Sequence, residues 1–216
     1  MRYTALHTVP DGGTLDSLTA DDRAKLCLLV TALRLRDLAT FAHSRRTARL
    51  SLMLGRELRL TSAEMTTLFL GALLHDVGKI GVPDSVLHKP DRLTDDEWAT
   101  MRRHPDNGKA LLDGLPFLDG AATAVVQHHE KWDGTGYPRG LRAEQIAPAA
   151  RALTVADAFD VMTHHRDYRP ARCSHDEALA ELERCAGTQF DPFVVRVFCR
   201  LARRLPSRGR VTSMTA

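Results

Sequence analysis

Two pairs of residues in this 216-residue chain stand where their chemistry needs an explanation. His75 and Asp76 follow the apolar run Leu68–Leu74 directly and precede Gly78 and Lys79. A carboxylate at the end of a buried helix is costly unless it is paired or bound to a cation. His128 and His129 are adjacent and run into the loop KWDGTGYPRG, which holds Gly134, Gly136, Tyr137 and Pro138. His104 opens HPDNG, and Asp157 lies in VADAFD within an otherwise apolar segment. Each of these alone reads as a helix cap or a satisfied core group. Together they form a set of neutral imidazoles and hard carboxylates, the mixture that holds iron, manganese or zinc; calcium or magnesium would take oxygen only.

Other metal templates fail. HEKWD at His129–Asp133 lacks the second histidine of a helical HExxH site. No PCxxC occurs, and Cys27, Cys173, Cys185 and Cys199 are too scattered for a zinc ribbon or a redox pair. Adjacent residues on a helix diverge by ~100°, so the spacing of His128 and His129 suits two different ions, or one ligand and one supporting group, better than a single chelate. His164–His165, His7, His88 and His175 sit in polar surroundings and read as surface or loop residues.

Helices must position these groups. Apolar residues recur at three- and four-residue spacing and no long stretch alternates, so the fold class is all-α, one helical domain of about seven to nine helices. The pattern predicts helices near 21–40, 43–59, 62–76, 94–103, 105–113, 118–130, 148–163, 174–186 and 191–204. TSAE at Thr61, TDDE at Thr94 and SHDE at Ser174 have the capping-box form, and Asp191–Pro192 is a further start. Two Gly/Pro-rich segments, 78–92 and 131–148, are predicted as long loops of the functional kind. Residues 1–20 read as an irregular lead-in, 21–204 as the domain and 205–216 as a polar basic tail.

Composition excludes several classes. Hydrophobic residues make up 44% and charged residues 26%, ordinary values for a globular chain. Leu68–Leu74 is too short to span a bilayer, so no membrane association and a cytoplasmic location are expected. A net charge of +3, much of it arginine near the C-terminus, gives no ground for a DNA partner.

The motifs HDVGKIGVPDSVLHKPDRLTDDEW, HPDNG, HHEKWDGTGYPRG and VADAFD resemble, in order and spacing, the HD-GYP family, a branch of the HD phosphohydrolases. The likeness covers roughly residues 30–200. It implies a metal-dependent phosphodiesterase that hydrolyses cyclic di-GMP to linear pGpG, with GMP the alternative end product, using two divalent ions, iron or manganese foremost. The implied metal ligands are His43 in HSRRT, His75, Asp76, His104, His128, His129 and Asp157. Asp76 would bridge, with His43, His75 and Asp157 on one side and His104, His128 and His129 on the other. Lys79 would face the scissile phosphate, Gly136–Tyr137–Pro138 would lie against the nucleotide, and Arg166 and Arg169 match phosphate-contacting positions. A separate protein such as a GGDEF-domain cyclase is the kind of regulatory partner implied. Where some members carry a glutamate that helps hold a third ion, this sequence has Ala39; it also has Asp167 where proline is common. Two metals are therefore expected. The competing readings are a hydrolase of another cyclic or linear dinucleotide, and a non-catalytic cyclic-dinucleotide sensor or protein-interaction module.

Overall fold

The apolar run at 68–74 lies in the central helix. A computed structural model of the protein describes residues 15–164 and 173–204. Three helices open it: α1 (Ala20–Arg36), α2 (Leu38–Glu57) and α3 (Ser62–Leu74). Every residue of α3 from Leu68 to Leu74 is buried, the signature of a helix apolar all round and enclosed by neighbours. α2 packs along one side of it, and α7 (Asp119–Gln127) and α8 (Pro148–Thr163) along the others. Closest approach depends on small residues: a Cβ on Gly71 would meet Ala124 at 2.9 Å.

Between α3 and α7 the chain forms a 3₁₀ turn (Val77–Gly81), the single turn α4 (Asp84–Leu87), α5 (Asp95–Met101) and α6 (His104–Leu112). α9 (His175–Arg184) and α10 (Pro192–Ala202) pack against each other and against α8. Among the described residues there are thus nine α-helices of seven or more residues and no β-strand beyond isolated bridges, in agreement with the all-α expectation. One continuous core runs from Leu15 to Ala202. No described helix is long and apolar enough to cross a membrane.

The three predicted capping boxes are present at Thr61–Glu64, Thr94–Glu97 and Ser174–Glu177, and Asp191 caps Phe193 and Val194. Two boundaries differ from the sequence pattern. The break between the first two helices falls at Asp37, not after residue 40, because the Asp37 carboxylate accepts from the backbone of Ala39 and Thr40 and opens α2 there. That shift puts Ala39 and His43 on the same helix. The segment 78–92, predicted as a loop, instead carries the 3₁₀ turn and α4. The Arg36 guanidinium holds this segment against α1 through Asp84 and the Val82 carbonyl.

Candidate metal centre

α3 ends inside the protein, so its last carbonyls need donors that solvent does not supply. His75, the C-cap of α3, meets that need: its Nδ1–H donates to the Ala72 carbonyl at 2.8 Å. The same device recurs twice. His104 Nδ1–H donates to Met101 O at 2.8 Å, and His128 Nδ1–H to Val125 O at 2.6 Å. A carbonyl can only accept, so all three rings carry a proton on Nδ1 and turn Nε2 inward. Helix-end geometry, three residues back in each case, thus sets three imidazoles toward one interior.

Asp76 lies among them, buried at 3% exposure. Its Oδ2 is 3.4 Å from His75 Nε2 and its Oδ1 is 3.4 Å from His104 Nε2, one oxygen toward each side. Gly78 makes this approach feasible, since a Cβ there would overlap the His104 carbonyl and the Gly108 nitrogen. Two groups of donors flank Asp76: His43, His75 and Asp157, and His104, His128 and His129, with ligand atoms within 4.8 Å of one another in each. The division matches the expected two sides of a bridged pair.

The donor chemistry fits divalent ions. His104 and His128 face each other with Nε2 atoms 3.2 Å apart, two lone pairs with no proton to share. Asp157 Oδ1 is buried and lacks an aligned hydrogen bond, although His43 Nε2 is 2.9 Å away. Orphaned ligand atoms in each group are what a cation there would satisfy. Electrostatics agree. Burial and the neighbouring His129, His75 and His104 rings push His128 well below its ordinary value. Burial likewise takes His104 down to about 4 and His129 to about 3, so these rings stay neutral. Burial pushes Asp76 upward, but Lys79 and His75 outweigh it and hold the carboxylate well below the usual range. Burial opposes charge on His43 as well, yet the Asp157 and Asp160 carboxylates against its two ring nitrogens raise it to about 9.

A family model described as "HD domain" matches residues 28–194. The chain belongs to the HD domain family. Among HD relatives it is 39% identical over 189 residues to a cyclic di-GMP phosphodiesterase response regulator of Xanthomonas campestris pv. campestris, covering 87% of this chain and 50% of that protein. It is 39% identical over 153 residues to a 3'3'-cGAMP-specific phosphodiesterase of Vibrio cholerae, covering 71% of this chain and 33% of that one. The chain therefore spans a third to a half of the length of these relatives. A cyclic GMP-AMP specific phosphodiesterase of V. cholerae shares the fold, with a TM-score of 0.63 at 22% identity over 82% of this chain and 47% of that chain.

Within this HD domain the adjacent histidines depart from the reading of their spacing. His128 and His129 do not diverge: α7 ends at Gln127, and their ring centroids are 4.0 Å apart, both beside His104. Lys79 Nζ rests on Asp76 Oδ2 at 2.7 Å. Tyr137 stacks on His129, centroids 4.8 Å apart and planes at 22°, and Arg102 lies over the Tyr137 ring. Gly136 is needed for a different reason from ligand approach: a Cβ would overlap the Lys131 backbone, so the loop folds on itself there. Gly134 takes a left-handed φ of +84°, and the Tyr137–Pro138 peptide is cis. Arg166, Asp167 and Arg169 lie outside the described residues, as do His7 and His165.

The sequence reading missed three polar residues. Glu130, 2% exposed, accepts from Arg139 N at 2.6 Å and Leu141 N at 3.0 Å and so pins the loop that carries Tyr137. Asp160 is fully buried and holds His43, Arg46 and His164 together. His164, read as a loop residue, is the last of these, 3.0 Å from the carboxylate. Asp160 was findable, for it stands one helical turn beyond Asp157 on the same face. Thr154 lies 2.9 Å from the His128 carbonyl. A cleft of about 390 Å³ opens over His75, Asp76, Lys79, His129, Tyr137 and Asp157.

Proposed function

We propose that the chain is a metal-dependent phosphodiesterase that hydrolyses cyclic di-GMP to pGpG or GMP. The observation that carries this reading is Asp76, one carboxylate oxygen aimed at each of two donor triads. His43, His75 and Asp157 would hold one divalent ion and His104, His128 and His129 the other, with Asp76 shared. Iron suits the five imidazoles, and the Asp76 and Asp157 carboxylates are the ligands that would favour manganese. Ala39, exposed in the first turn of α2, offers no ligand for a third. Such a pair, when bound, supplies Lewis-acid polarisation of a phosphate and a nucleophile at neutral pH.

The chain's own residues do the rest. Histidine ligands carry no negative charge, so a centre built on five of them is less negative than a carboxylate cage, which favours a phosphodiester anion. The Lys79 ammonium, at the cleft wall, can turn from Asp76 to a phosphate oxygen as a compact point charge. Tyr137 presents a ring face and a hydroxyl beside His129, suited to a base or ribose. Glu130 keeps that ring in place through the loop backbone. Gly136 and Pro138 give the loop its shape, and Arg166 and Arg169 are the phosphate-contacting residues that the HD-GYP resemblance implies.

The relative of X. campestris is named for cyclic di-GMP, and that of V. cholerae for 3'3'-cGAMP. The second supports a narrower alternative, the same centre acting on the mixed dinucleotide. The test is anaerobic incubation of ferrous- or manganese-loaded protein with each dinucleotide, products resolved by chromatography, with Asp76→Ala as control. Metal-dependent pGpG or GMP from cyclic di-GMP, absent from the control, is expected. Turnover of cGAMP alone moves the substrate; no turnover by protein holding two metals per chain sinks the enzyme reading and favours a sensor.

A further inference from the structure

His43 differs from the other ring-fixed histidines of the centre in what holds it. His75, His104 and His128 each give their Nδ1 proton to a neutral backbone carbonyl. His43 Nδ1 instead lies 2.7 Å from Oδ2 of Asp160, a carboxylate with no exposure. Asp160 is locked in turn by the Arg46 guanidinium, with Nε on Oδ1 and Nη2 on Oδ2, both at 2.8 Å, and by His164 at 3.0 Å. The carboxylate cannot rotate away from the ring, and the planar Arg46 fork fixes its orientation.

We infer that Asp160 is a positioning residue that makes the His43–His75–Asp157 position the tighter of the two and the first to fill. This rests on the metal-centre reading given above. An imidazole whose remote N–H is held by a carboxylate is a more basic ligand than one held by a carbonyl, and loss of such a partner lowers metal affinity about 10–100-fold. The donor sets differ in the same sense: one side offers the Asp157 carboxylate beside its imidazoles, and the other offers three imidazoles, His104, His128 and His129. Lys79 works against the inference, because its ammonium is on Oδ2, the Asp76 oxygen nearer His75. Its side chain lies at the cleft wall with partial exposure, so moving it to solvent is a small cost beside a carboxylate ligand and a carboxylate-supported imidazole.

A purely structural role has to be told apart. The Asp160–Arg46 pair also ties α8 to α2 and would stabilise their packing with no metal present. The experiment is a titration of the metal-stripped full chain with Co²⁺, read by d–d absorption and by calorimetry, for wild type, Asp160→Asn, His104→Ala and His75→Ala. Far-ultraviolet circular dichroism is recorded for each.

Wild type is expected to take up two ions in a tight step and a weaker one. Asp160→Asn should weaken the tight step about 10–100-fold and shift its absorption while moving the weaker step less than about threefold. A tight step unchanged in Asp160→Asn, or equal loss of both steps, overturns the inference. Should that variant unfold, the histidine variants decide: the tight step must survive His104→Ala and vanish in His75→Ala, and the reverse result refutes it. A wild-type chain that binds no metal instead defeats the metal-centre reading itself.

Discussion

The Nε2 atoms of His104 and His128 stand 3.2 Å apart with no proton between them, because each ring donates its Nδ1–H to a backbone carbonyl at a helix end. Two facing lone pairs are repulsive in the folded chain and absent from the unfolded one. The fold holds them together, and a cation relieves the repulsion.

Metal should therefore stabilise the protein. At a free concentration about 100 times its dissociation constant, a ligand that binds only the folded state contributes about 2.7 kcal/mol. For a domain of this size that corresponds to a rise in Tm of roughly 5–10 °C. Thermal unfolding with Mn²⁺ and with excess chelator should show this difference, and His128→Ala should largely abolish it.

Lys79 and Asp76 separate charge from assembly. Lys79→Met should leave metal content intact and lower kcat by roughly 10²–10³-fold, the effect of removing one fixed positive contact from a developing phosphate charge. Asp76→Ala should lose bound metal together with activity. Metal analysis beside steady-state kinetics distinguishes the two outcomes.

Glu130 has a task that an amide cannot fully perform. Both its oxygens accept from loop N–H groups, so Glu130→Gln turns an NH₂ donor toward one of them. The expected loss is about 1–3 kcal/mol, seen as faster hydrogen exchange at Arg139 and Leu141, with weaker substrate binding as Tyr137 loosens.

Gly78→Ala should disrupt the centre, not merely trim it. The added methyl meets the backbone of His104 and Gly108, which cannot give way as a side-chain tip can. A destabilisation of about 3 kcal/mol or more is expected, measured by urea unfolding. Gly114→Ala is a fair contrast, since nothing lies within 4 Å of that added methyl and only its left-handed φ of +79° is strained.

Acid should weaken the fold through its caps. Backbone and side-chain hydrogen bonds from Thr61 and Ser174 lower Glu64 and Glu177, and the Lys89 ammonium lowers Glu97, followed by the Thr94 backbone. A carboxylate lowered in the folded state contributes stability that is present above its unfolded value and lost as pH falls through its folded one. Unfolding midpoints should drop between about pH 5 and pH 3, and replacing the three glutamates with glutamine should flatten that limb.

The residues at the centre of the site were legible before the fold was known, and the supporting ones were not. HDVGK, HPDNG, HHE and VADAFD each read alone as a cap or a core group, and stood out only as a set, in the order and spacing of the HD-GYP motifs. Asp160 and Glu130 bear on the site only through Arg46 and His43 or through loop amides, partners set by tertiary contact. Asp37 was hidden for the opposite reason: one capping side chain moved a helix boundary that apolar periodicity alone placed after residue 40.

Periodicity and caps by themselves determined the all-helical class and most helix starts. Spacing alone implied that His128 and His129 point apart, since side chains a residue apart diverge on a helix. The tertiary structure decided otherwise: α7 ends at Gln127, and both rings turn to His104, a residue from another helix. Local sequence encodes backbone propensity, which acts over a few residues. Which imidazoles share an ion depends on where buried helix ends meet, and that is fixed by packing between distant segments.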